Sequence, residues 1–136
     1  MRGQVANEVV AVIGIAVVLA IPLLFGISMY SASLSQSLEV EKADAAATRL
    51  ARMADAVIYM GPNSSIVEEI TVPAGVSDVR ISGREIVFVV ETSWGKSEIV
   101  KMTEGNVSGS VPSAEGSYFV EVKKGEFGDA VKIALR

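Results

Sequence analysis

The chain has 136 residues, half of them hydrophobic, with 12 basic and 16 acidic side chains and a net charge of -4. With no Cys and no His it offers no thiolate or imidazole metal ligand, no Cys nucleophile and no His-based triad, and its mixed charges form no basic stretch for nucleic acid. Apart from Arg2 and Glu8, every charge lies from Glu39 onward, a layout that describes one membrane-length segment joined to one small water-soluble domain.

The first element is the run from Val9 to Ile27, nineteen residues without a charge. As a helix rising ~1.5 Å per residue it covers about 28 Å, the thickness of a bilayer core. Arg2 precedes it and the first charges after it are Glu39 and Glu41, so the positive-inside rule places its start in the cytoplasm and the bulk of the chain outside. Pro22 lacks an N–H and crowds the carbonyl four residues back, which predicts a kink or a locally opened helix.

Three fates fit such a segment. A conventional signal peptide would be cut near Ser31-Ala32-Ser33, but this apolar core is longer than the 7 to 15 residues usual for one. A plain signal anchor explains length and orientation but not Glu8, since a carboxylate beside a membrane helix costs about 2.5–3.5 kcal/mol at the helix centre and less at its edge. The third fate is trimming on the cytoplasmic side. Cleavage after Gly3 would free an α-amine on Gln4, one helical turn from Glu8 or from the same carboxylate on a neighbouring subunit.

The segment Arg2-Gly3-Gln4-Val5-Ala6-Asn7-Glu8, set directly before the apolar run, resembles the leader of archaeal class III signal peptide proteins, which are similar to bacterial type IV pilins. The chain departs from the commoner family pattern in carrying Arg2 rather than Lys, and Ala6 rather than Ser, two residues after the Gln. The resemblance implies a leader of residues 1–3, cut by a prepilin peptidase between Gly3 and Gln4. It also implies a mature protein that keeps its apolar helix, and a Glu8 that neutralises a neighbour's amine during assembly. The implied partners are identical subunits in a homopolymer, the prepilin peptidase, the membrane before assembly, and a pilus assembly ATPase with its platform protein.

After the apolar run the helix is expected to continue, because Ser28 to Tyr59 contains neither Gly nor Pro and is rich in Ala, Leu, Glu, Lys and Arg. Leu34, Leu38, Ala46, Leu50, Met53 and Val57 form its predicted apolar stripe, and Gly61-Pro62 stops it. Residues 4–60 thus make one long helix, apolar over 9–27, and 61–136 make an extracellular β-rich head. Within the head, short β-type runs are predicted at Ile66–Val72, Val79–Ser82, Glu85–Glu91, Ser97–Met102, Ser117–Lys123 and Ala130–Leu135, separated by turn residues. Ile86 to Val90, apolar on both faces, suits a central strand. The fold class is α+β, a long amino-terminal helix followed by an antiparallel β-sheet or β-sandwich head. The stretch from Gly105 to Pro112, with Gly116-Ser117-Tyr118 and Val131-Lys132-Ile133, also resembles the β-rich heads of archaeal pilin-like proteins.

Further candidate residues lie in the head. Asn63-Ser64-Ser65 and Asn106-Val107-Ser108 match the N-glycosylation pattern in predicted loops. Glu68-Glu69 and the loop holding Glu126 and Asp129 supply oxygens but lack the ligand spacing of a calcium loop, so solvated surface charge is the expectation. Trp94, the sole tryptophan, is expected to cap the core of the domain, with contact to a neighbouring subunit as the other reading; its distance in sequence from the membrane helix argues against lipid anchoring.

The expected protein is therefore a structural subunit of an extracellular filament, with no cofactor, no metal and no turnover. It is made as a precursor in the cytoplasmic membrane with its head outside. The rival reading is a membrane-anchored minor pilin, or a component of a surface motility machine, acting as a binding module.

Overall fold

The computed structural model describes residues 2–126, 128 and 130–136. A single helix, α1, runs from Arg2 to Met60 and is followed by seven strands: β1 Ser65–Val72, β2 Val76–Ser82, β3 Glu85–Thr92, β4 Gly95–Met102, β5 Val107–Gly109, β6 Gly116–Lys124 and β7 Val131–Leu135. The α+β layout expected from the sequence is the one observed. The chain divides into two compact units, Met1–Ser37 and Leu38–Arg136, so the second half of α1 belongs with the strands.

In the first unit α1 continues through Pro22 without interruption. Its serines bond within the helix: the hydroxyls of Ser28, Ser35 and Ser37 donate to the carbonyls of Leu24, Ser31 and Ser33 at 2.9, 3.0 and 3.1 Å. Hydroxyls paired in this way need no water, which suits a helix with apolar surroundings.

In the second unit α1 presents Ala43, Ala46, Ala47, Leu50, Ala51, Met53, Ala54 and Val57, all buried and spaced at three and four residues, to a core shared with both sheets. The five alanines on this stripe let the backbone of α1 come close to the strands. The stripe starts lower than the sequence suggests. Leu34 and Leu38 are about half exposed, at 51% and 48%, because the strands begin to cover α1 only from Val40.

One sheet has the order β1-β6-β7-β5 and the other β2-β3-β4. The expected antiparallel pairing holds for β1 with β6, β6 with β7, β2 with β3 and β3 with β4, whereas β5 pairs with β7 in parallel. β3 is central in its sheet, with Ile86, Phe88 and Val90 turned to the core. Val89 is also buried although it faces away from the core; its cross-strand neighbours are Asp78 and Glu98, the two carboxylates that Arg80 joins. Arg80 thus joins the carboxylates on the two strands that flank Val89.

Gly109 makes the β5–β7 pairing possible. Its φ is 141°, and a Cβ built there would stand 1.8 Å from the Ile133 carbonyl oxygen. Any side chain at this position separates the two strands.

Polar contacts fix α1 against both sheets. Arg49 reaches the Glu68 carboxylate (3.7 Å) and the Glu69 carbonyl (3.4 Å) on β1, Lys101 of β4 meets Asp44 (2.8 Å), and the Asp55 carboxylate accepts from the Glu104 N–H (2.8 Å). At the end of α1, where the last carbonyls lack helical donors, the Ser64 hydroxyl donates to Val57 (3.0 Å) and the buried Lys124 ammonium to Ile58 (3.3 Å). Gly61, at φ 98°, then turns the chain out of the helix.

Candidate functional site: the unpartnered apolar helix

Within Val9–Ile27, thirteen Val, Ile, Leu and Phe side chains are each at least half exposed. Burying a side chain of this size is worth about 1.5–3 kcal/mol, so leaving thirteen in water forgoes on the order of 20 kcal/mol. That exceeds the whole folding stability of about 5–15 kcal/mol of an ordinary domain. The segment is long and apolar enough to cross a membrane. It has apolar residues on every side rather than a stripe, which is the pattern of a helix surrounded by lipid or by other apolar helices.

Glu8 is exposed on the first turns of this helix and is the one charged side chain between Gly3 and Leu38. It makes no ion pair or hydrogen bond among the described residues. Gly3 and Gln4 also lie in the helix, both exposed, and nothing stands within 4 Å of the position a Gly3 Cβ would take. The bond between them sits in the first turn of α1, where the N–H groups have no helical acceptors and local unwinding is cheap. Chemically the arrangement is an apolar surface with one carboxylate at its edge. It can bind lipid or other apolar helices and pair with one cation.

The remaining predicted residues lie in the second unit. Asn63 is exposed in the turn after α1, at φ 58°, and Ser65 of its triplet is exposed as well. Asn106 is exposed, but its backbone is held on both sides: its carbonyl accepts from the Val131 N–H (2.8 Å) and the next N–H, of Val107, donates to Gly83 (2.6 Å). Glu68 and Glu69 are consecutive on β1 and so face opposite sides of the sheet, Glu68 toward Arg49. Glu126 is exposed, and Asp129 lies outside the described residues. Among the described residues no three carboxylates gather in a way that would hold a metal ion.

Trp94 corrects the expectation made for it. It is 94% exposed and caps nothing. Ser93 and Trp94 form a two-residue turn between the Thr92–Gly95 pair, tightened by the Thr92 hydroxyl donating to the Gly95 carbonyl (2.7 Å). The indole therefore stands beyond the last strand pair, past the end of the core.

Sequence reasoning placed Ala46 on the α1 stripe but missed its other four alanines and the Asp44 and Asp55 contacts. Ala43, Ala47, Ala51 and Ala54 sit at helical spacing with the larger apolar residues and carried the only available signal. Comparison with known proteins yields no matching family model, no matching curated protein and no matching solved structure.

Proposed function

We propose that this chain is a structural subunit of an extracellular filament of the archaeal type IV pilus kind. It is inserted through its apolar helix with the head outside, cut between Gly3 and Gln4, and then assembled by bundling of the apolar helices. The observation that carries this reading is the first unit itself: a helix apolar on every side, with a single carboxylate at its edge, joined to a domain that already has its own closed core. A lipid span alone would account for the apolar surface. Glu8 is what an anchor has no use for, and the amine freed at Gln4 would give it a partner on the next subunit.

In this reading the filament core is made of apolar helices in contact with one another, and burial there offsets the loss of lipid. Glu8 sets the axial register by pairing with the Gln4 amine. The partners are identical copies, a prepilin peptidase, and an assembly ATPase with its platform protein. Asn63 and Asn106 are acceptors for N-linked glycan, a part of the reading that peptide mass mapping removes if both are unmodified in surface protein.

The test is Glu8→Ala in the producing cell. Membrane insertion and processing should persist while filaments disappear from electron micrographs of the surface. Normal filaments from this variant would refute the role given to Glu8.

A further inference from the structure

All five serines of α1 fall within residues 28–37, the last ten of the first unit. Serine forms helix less readily than alanine or leucine, because its hydroxyl competes for backbone hydrogen-bonding groups. Three of the five do so here: Ser28, Ser35 and Ser37 donate to carbonyls four residues back, a bond that slightly weakens a helix. No charged residue lies between Glu8 and Glu39, so no ion pair three or four residues apart supports this stretch. Every residue of it except Gln36 is exposed.

The helical turns before and after it are held by other means. Residues 9–27, in an apolar medium, must keep every backbone hydrogen bond, because no water is there to replace one. Beyond it Glu39 pairs with Lys42 (3.7 Å), and from Ala43 the helix is locked into a core with both sheets. Residues 28–37 have neither packing nor ion pairs of this kind, so α1 opens at least cost there. At their centre stands Ser31-Ala32-Ser33, a triplet of small residues that the filament reading leaves without a role.

We propose that residues 28–37 are a second processing site, where an endoprotease that accepts small side chains cuts the anchored chain and frees its head. This rests on the reading of residues 9–27 as a membrane span, which fills the bilayer core and leaves the next ten residues to water. A protease takes its substrate extended, so the rate of cutting follows the open fraction of the helix. Water adds across one peptide bond, leaving a carboxylate on the membrane-held stub and an amine on the released part. The released part keeps Ala43 to Val57 and both sheets, the whole of the core, and so departs folded and soluble. This cut is separate from that between Gly3 and Gln4, and its product leaves the cell surface.

Elastase, whose specificity pocket is small, is the probe, acting on the full chain reconstituted in phosphatidylcholine–phosphatidylglycerol vesicles. Composition alone favours cutting later in α1, where seven alanines stand from Ala43 to Ala56 against one, Ala32, within residues 28–37. Local opening reverses that order. The first product should be a soluble fragment beginning between Met29 and Leu38, formed at least about tenfold faster than any cut from Ala43 onward. Replacing the five serines by alanine, which the same pocket accepts, should slow release by about tenfold, because the helix is strengthened while cleavable residues remain. A first cut within residues 43–56 or in the strands would overturn the inference, as would resistance of residues 28–37 under conditions that cut the urea-unfolded chain there. An unchanged rate in the five-alanine variant would overturn it too, since opening would not then control the cut. Flotation of the uncut chain with the vesicles is scored separately: a chain left in solution removes the membrane reading, and the processing role with it, whatever the pattern of cutting.

Discussion

Leu24 and Leu50 stand on the same helix, yet Leu24 is 64% exposed and Leu50 has no exposed surface. Around Leu50 the apolar residues recur at three and four, and two sheets supply the surface that covers them. Around Leu24 they occupy every side of the helix, and no single sheet could cover them all. The second unit closes its core with residues of its own chain, whereas the first has a surface that only lipid or other apolar helices can complete. The division between them falls at Leu38, inside α1.

The strongest way to break this comparison is to cut the chain. Residues 38–136 alone should be water-soluble and unfold cooperatively on heating, as followed by circular dichroism. Residues 61–136 alone should be unfolded, because they lose Ala43 to Val57, the stripe on which both sheets close. A stable, cooperatively folded 61–136 fragment would show that α1 is not part of the domain core.

Point changes sharpen it. Phe88→Ala, at a fully buried position on the central strand, should lower the denaturant stability of the second unit by about 3–5 kcal/mol. Leu24→Ala should leave that stability unchanged within about 0.5 kcal/mol, since the side chain it removes is outside the core. Comparable losses from the two would erase the distinction between the units. Gly109→Ala should fall with the first class, forcing β5 away from Ile133, and hydrogen exchange of the Val131 to Leu135 amides should rise with it.

The smallest effect belongs to the Asp44–Lys101 pair. At 51% and 31% side-chain exposure it is screened by water, so Lys101→Ala should cost under about 1 kcal/mol and less in high salt. A larger, salt-independent loss would mean that packing of the lysine stem, rather than charge, joins β4 to α1.

Much of this architecture was legible in the sequence because period and composition carry it. The charge-free run from Val9 to Ile27, the stop at Gly61-Pro62, the doubly apolar β3 and the alternation of Val120 and Val122 each follow from a local rule that tertiary contacts did not override. β5 escaped because three residues show no period; it exists through pairing with β7 and through the missing Cβ of Gly109. The alanine stripe was only half visible, since alanine marks a close approach no more clearly than it marks a good helix former. Trp94 was misplaced for a different reason: bulk and apolarity favour burial, but a two-residue turn beyond the last strand pair leaves nothing to be buried against. Of the proposed site, Glu8 and the Gly3–Gln4 bond were legible as a pattern.

The filament reading is tested most directly by amino-terminal mass analysis of the protein collected from the cell surface. Processing before the apolar helix predicts a mature chain that begins at Gln4 and still contains Val9 to Ile27. A chain beginning at Leu34 would make this a secreted β protein without its helix, and one that retains Arg2 would make it a plain membrane anchor; either would contradict a filament subunit of the pilin kind.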